Sequence, residues 1–200
     1  MGSDFANNMT SGLLNAAYDG VCYCNLAIVP AEKTPFASDE ERKQKVAEAY
    51  FMRAVYYYNM VEQLGGVKLQ MAPVDNVDIH PGKDSPMDIY EKCIIPDLEF
   101  AAQWLPVEDR TTRPSKKSAM GMLARACLQS VEYDSSKKYV QRALEVAQEM
   151  INDCKAGGAA LGVYMYDNVE DVFDENNNFE NKEALWKHRY VAGGVNNQAW

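Results

Sequence analysis

What this chain has little of narrows it first. It contains no run of about eighteen apolar residues, so no segment reads as a membrane-spanning helix. Histidine occurs only at His80 and His188, with no Cys or second His at ligand spacing. Each reads as a loop or surface residue, and no metal is expected. Positive charge is also short: 20 Lys and Arg against 29 Asp and Glu leave a net charge of −9. Phosphate binding needs a concentrated basic face. The basic cluster Arg110, Arg113, Lys116 and Lys117 borders a predicted helix start and reads as a solvated loop, so nucleic acid is not expected as a partner.

The signatures of catalysis are missing as well. There is no Gly-x-Ser-x-Gly, Walker loop, His-Glu-x-x-His or dinucleotide fingerprint. Five cysteines (Cys22, Cys24, Cys93, Cys127, Cys154) follow neither zinc nor redox spacing. Cys93, Cys127 and Cys154 fall in predicted helices and read as buried thiols. The acidic stretch Asp167 to Glu175 lacks the spacing and central glycine of a calcium loop and reads as a solvated face. Asp97 and Glu99 point to different faces of one helix and form no glycosidase pair. No catalytic residue and no cofactor is expected, so the chain is read as not an enzyme.

What is present is helical periodicity. With 47% hydrophobic residues over 200 positions, the chain can bury a core. Residues 10–28 place Leu13, Leu14, Ala17, Val21, Cys24 and Ile28 on one face, with Thr10 or Ser11 as cap and Pro30 after the end. Ser38 and Glu41 fit a capping box that opens a second helix. That helix puts Ala47, Tyr50, Phe51, Ala54, Tyr57, Tyr58, Val61 and Leu64 on one face and stops at Gly65-Gly66. Residues 67–84, with Pro73, Pro81 and Gly82, read as an extended connection.

Ser85-Pro86 opens a third helix that closes at Pro106, and Pro96 inside it predicts a kink. A fourth helix follows Ser115, with Ala119, Met122, Leu123, Ala126, Cys127 and Ser130 on one side. A fifth, at about 136–153, aligns Val140, Ala143, Leu144, Ala147, Met150 and Ile151. The short loop between these two predicts an antiparallel hairpin. Tyr164 to Phe173 allows a short helix, and Glu183 to Val191 a last helix or strand. The expected fold is all-α, built of tetratricopeptide-like helical hairpins over residues 10–155. Residues 1–9 are expected to be a disordered start, and residues 156–200 an irregular, truncated end.

The second helix carries a recognisable order: alanines, Arg53-Ala54, the aromatics Tyr56-Tyr57-Tyr58, then Leu64-Gly65-Gly66. Before it stands Tyr18 to Ile28 with Asn25. After it come Ile89-Tyr90 through Asp97-Leu98, Ala101 and Leu105-Pro106, then Thr112-Arg113-Pro114-Ser115-Lys116 with Leu123-Ala124-Arg125. Tyr139, Ala143, Ala147 and Ile151 precede Tyr166, Val172-Phe173 and Asn181-Lys182-Glu183-Ala184-Leu185-Trp186. These five segments, in this order, resemble the SusD/RagB family of surface glycan-binding lipoproteins. Members serve a TonB-dependent transporter in gut-type Bacteroidetes.

The resemblance covers nearly the whole chain but less than half of a usual member. The Cys-led amino terminus and the long carboxy-terminal region of a usual member fall outside the resemblance, and Pro96 is unusual. The resemblance implies capture of an oligosaccharide or polysaccharide at the outer-membrane surface for the transporter, without bond cleavage. The alternative is a tetratricopeptide-like adaptor that binds protein. Sugar rings stack on flat side chains that stand beside amides and carboxylates. Tyr190 and Trp200, near Asn196, Asn197 and Gln198, have that composition and are the expected ligand-binding residues. Tyr50, Tyr57, Tyr58 and Trp104 are expected in the core.

Overall fold

The computed structural model describes residues 2–73, 82–107, 112–177 and 181–187, with side chains from residue 10 onward. Helix α1 spans Gly2–Ala31 and α2 spans Asp39–Leu64. Helix α3 (Pro86–Ile89), a π turn (Tyr90–Ile94) and α4 (Ile95–Trp104) follow one another without a break. Helix α5 spans Lys116–Gln129, α6 Val140–Lys155, and the short α7 Val169–Phe173. No strand occurs among the described residues, and the fold is all-α as expected.

The helices pack in chain order: α1 on α2, α2 on α4, α4 on α5, α5 on α6. Short connections between amphipathic helices dictate such neighbour-on-neighbour hairpins. Helix α2 lies between α1 and α4, and so it is buried beyond a single stripe. Val46, Ala47, Phe51, Ala54, Val55, Tyr57, Tyr58, Met60 and Val61 are all enclosed. Ala54 is fully buried, and its small side chain lets the neighbouring helix approach between the aromatics. Gly20 of α1 does the same from the other side: a Cβ there would overlap the Tyr56 ring.

The ends of the helices are set by local chemistry. The Ser38 hydroxyl accepts from the Glu41 N–H (3.0 Å), and the Glu41 carboxylate accepts from the Ala37 N–H (3.2 Å). Three acidic residues, Asp39, Glu40 and Glu41, sit on the positive end of α2. Gly65 stops it at φ 71°, a conformation that costs a Cβ-bearing residue. Ser85 caps α3 through the Asp88 N–H, with Pro86 in the first turn.

Several expectations are revised. Helix α1 begins at Gly2 instead of near residue 10, so Thr10 and Ser11 lie within it, and Pro30 occupies its last turn. Pro96, which has no N–H to give, is accommodated by the π turn just before it. There the Ile95 N–H reaches back to the Tyr90 carbonyl, five residues away. In α6 the buried stripe is Ala143, Val146, Met150 and Asp153. Val140, Leu144 and Ile151, expected on the buried side, are exposed by 37%, 59% and 48%, because α5 covers only one flank of a wide apolar face. The described part of the last expected element, residues 183–187, is neither helix nor strand. It crosses α5, where the Ser118 hydroxyl donates to the Leu185 carbonyl (2.6 Å), and it sets Trp186 edge-on to Phe51.

Candidate functional site

Tyr190 and Trp200 lie outside the described residues, as do Asn196, Asn197 and Gln198. The expected core aromatics divide: Tyr57 and Tyr58 are buried, while Tyr50 and Trp104 are half-buried. Phe100 lies between the latter two, with ring centroids 4.4 Å from Tyr50 and 6.4 Å from Trp104. The Lys43 ammonium sits over the Trp104 ring at 4.4 Å. Of the cysteines expected to be buried, Cys93 and Cys127 are, and Cys154 is half-buried. Burial pushes the Cys127 thiol up to about 12, which leaves it an inert packing group.

The densest polar chemistry lies inside the fold, in a cluster the sequence reading did not assemble. Arg53 of α2 meets Asp97 of α4 through two bonds, Nε to Oδ2 at 2.7 Å and Nη2 to Oδ1 at 2.9 Å. Both side chains are 3% exposed. Arg53 Nη1 also donates to the Asn25 amide oxygen of α1 (2.8 Å). Burial pushes the Asp97 carboxyl upward, and the Arg53 guanidinium pulls it back. On Arg53, burial opposes the charge and Asp97 outweighs it, which leaves the guanidinium above its ordinary value. A guanidinium does not deprotonate in proteins, and two short bonds in fork geometry mark an ionised pair. The Cys93 thiol completes the ring at 3.5 Å from Asp97 Oδ2.

This cluster also fastens the extended connection after α2. Asn25 Nδ2 donates to the carbonyls of Gln70 (3.1 Å) and Ala72 (3.2 Å), and the Tyr18 hydroxyl donates to the Lys68 carbonyl (2.7 Å). The Gln70 N–H donates to the Tyr57 hydroxyl oxygen (2.7 Å). The loop base then closes on itself: Asp84 N–H donates to the Val67 carbonyl (3.0 Å), and Leu69 N–H to the Asp84 carboxylate (2.8 Å). Side chains thus satisfy the Lys68, Gln70 and Ala72 carbonyls and the Leu69 and Gln70 N–H groups where a sheet would otherwise do so. The signal was legible: Arg53 stands at helical spacing between Tyr50 and Tyr57, and Asp97 between Tyr90, Cys93 and Ala101. Two opposite charges on two buried stripes point to a pair.

A groove of about 510 Å³ runs between α4, α5 and α6. Its floor is apolar, with Met120, Leu123 and Val146 buried beneath it. Phe100 and Pro96 line one wall. Glu99 of α4 and Arg142 of α6 bridge it in bidentate fashion, at 2.6 and 2.7 Å. Gln103, Lys116 and Glu149 complete the rim, and among the described residues their side chains make no hydrogen bond or ion pair. Asp97 and Glu99 are thus committed to separate ion pairs in separate places, and neither stands ready for acid–base work.

Beyond the groove, the turn after α6 is held by Asp153. Its carboxylate accepts from the N–H groups of Ala160 (2.8 Å) and Val163 (3.0 Å). Burial raises this carboxyl, but the backbone donors of Ala160, Val163 and Leu161 outweigh it and leave it below its ordinary value.

The model of the family described as SusD-like_3, "Starch-binding associating with outer membrane", matches residues 4–128. The chain is 30% identical over 195 residues to SusD-like protein P2 of Formosa agariphila, across 96% of this chain and 35% of that protein. A crystal structure determined with a xylogluco-oligosaccharide superposes with a TM-score of 0.73 at 26% identity, covering 93% of this chain and 36% of that one. A laminarin-binding SusD-like protein superposes at 0.71 and 23% identity, covering 87% and 36%. The chain spans about a third of the length of the relatives it matches.

Proposed function

Because this chain belongs to the SusD-like family, we propose that it is the helical part of a non-catalytic glycan-binding protein of the outer-membrane surface. The protein captures oligosaccharides and passes them to a TonB-dependent transporter. The observation that carries this reading is the family match across residues 4–128, which takes in α1 to α5 and the whole Arg53 cluster. A similar structure was determined with a xylogluco-oligosaccharide and another binds laminarin, which supports oligosaccharide as the ligand class. Binding without cleavage fits the commitment of Asp97 and Glu99 to ion pairs. In this reading the protein is a surface lipoprotein, and Tyr190 and Trp200 supply stacking faces for the sugar.

The protein expressed from its complete gene tests this by affinity electrophoresis on a polysaccharide panel and by recovery of the transporter from detergent-solubilised outer membranes. Retardation by at least one glycan, with co-purification of a TonB-dependent receptor, is expected. No retardation on any glycan would sink the binding role. Recovery of a different protein in the receptor's place would favour the tetratricopeptide-like adaptor.

A further inference from the structure

We propose that the groove between α4, α5 and α6 is a weak subsite for an uncharged oligosaccharide, an inference that rests on the glycan-binding reading. Its volume, about 510 Å³, lies in the range of small-molecule sites and is enough for one or two sugar rings. The groove combines the two kinds of surface that a sugar needs. Phe100 and Pro96 give an apolar wall for the ring's C–H face. Gln103, Lys116 and Glu149 give an amide, an ammonium and a carboxylate whose side chains have no partner among the described residues. Hydroxyl groups both donate and accept, so they match a rim of this mixed kind: Lys116 donates, Glu149 accepts and Gln103 does both.

The charge balance decides between glycan classes. Among the lining residues Glu99 and Arg142 neutralise each other, and the single charges of Lys116 and Glu149 cancel, while Glu145, 3.7 Å from Arg142, adds negative charge at the edge. The lining therefore carries no net positive charge, within a chain of net charge −9. A polyuronate would meet no net attraction in the groove and repulsion from the protein as a whole. A neutral oligosaccharide meets neither. The rim side chains Gln103 and Glu149 are exposed and the cleft is open. Binding therefore loses little desolvation cost but gains few enclosed contacts, and the affinity belongs in the millimolar range.

The test is a titration of the isotopically labelled 200-residue chain, followed by amide chemical shifts, with neutral gluco-, xylo- and laminari-oligosaccharides and with oligogalacturonate. Neutral sugars are expected to shift signals of Glu99 to Gln103, Lys116 to Leu123 and Arg142 to Glu149, with an apparent Kd of about 1–10 mM. Gln103→Ala and Glu149→Ala should each weaken that binding by about fivefold or more at an unchanged unfolding midpoint. Glu149→Gln, which keeps an acceptor but leaves a net positive lining, should retain the neutral sugar and bring oligogalacturonate up to match it. Leu144→Ser, on the far flank of α6, should leave the titration unchanged. No groove shifts with any neutral sugar up to about 20 mM, or stronger binding of oligogalacturonate by the wild-type chain, would overturn the subsite. Shifts that map elsewhere and vanish in Trp200→Ala would also overturn it while leaving the glycan-binding reading intact. That reading itself falls only if the complete protein binds no glycan.

Discussion

Helices α2 and α6 carry apolar residues at the same spacing, yet they solve different problems. Helix α2 is flanked by α1 and α4, so its apolar positions are enclosed on two sides together with one charge, Arg53. Helix α6 packs on α5, touches α4 through the Arg142–Glu99 pair, and keeps Leu144 and Ile151 partly in solvent. The comparison teaches that an apolar stripe states how much surface a helix offers for burial, while its number of neighbours states how much is used. It also separates two ways of burying charge. In α2 the charge is enclosed with partners from neighbouring helices; in α6 the buried charge, Asp153, sits in the last turn and takes its partners from the backbone of the turn that follows.

The sharpest way to break the comparison is to remove one side of the α2 pair. Arg53→Ala or Asp97→Ala should cost about 3–5 kcal/mol, because each strands a buried charge of the opposite sign. Denaturant unfolding checks this, and the double variant should be far less than additive. A loss below about 1 kcal/mol in either single variant would mean that the pair is solvated in solution. Next in size, Ala54→Trp should overpack the contact between α2 and its neighbour by about 1–3 kcal/mol. An unchanged midpoint would place Ala54 on an open face.

In α6 the largest effect belongs to Asp153, not to an apolar residue. Asp153→Ala should cost about 1–3 kcal/mol by leaving the Ala160 and Val163 N–H groups without their charged acceptor. The pH dependence follows from the sign of its shift. A carboxyl held below its unfolded value contributes stability that is fully present above that unfolded value, about pH 4, and is lost as pH falls through the folded one. Asp153→Asn should therefore flatten the acid limb of the stability profile below about pH 4 and lower the neutral plateau. The smallest effect should come from Leu144→Ser, below about 1 kcal/mol, since that side chain stays more than half exposed. A loss comparable to that of Ala54→Trp would show that this flank of α6 is covered in solution.

Much of this was legible beforehand because it depends on neighbours in the chain. Ser38 with Glu41, Gly65-Gly66, and Ser85-Pro86 marked helix ends through bonds that span three or four residues. The stripe of α2 was legible because its aromatics recur at the helical period. The start of α1 was missed, since Gly2 to Met9 has few residues that demand a helix, and the boundary was drawn at Thr10 instead. The α6 stripe was half right: Ala143 and Met150 are buried as expected, while Val140, Leu144 and Ile151 are exposed and Val146 takes their place, because all are apolar and periodicity alone does not choose between adjacent flanks.

The amino-acid sequence by itself determined the helical class, most helix ends, the pairing of successive helices and the family. These are consequences of local hydrogen bonding, of apolar period and of residue order. Only the tertiary structure decided that Arg53, Asp97 and Asn25 meet, that they fasten residues 67–73, and that Glu99, Arg142, Gln103, Lys116 and Glu149 rim one groove. Each of these arrangements joins residues from two or three helices, or from a helix and a loop. Their energy depends on distance and burial across the fold, which the one-dimensional order of residues does not carry.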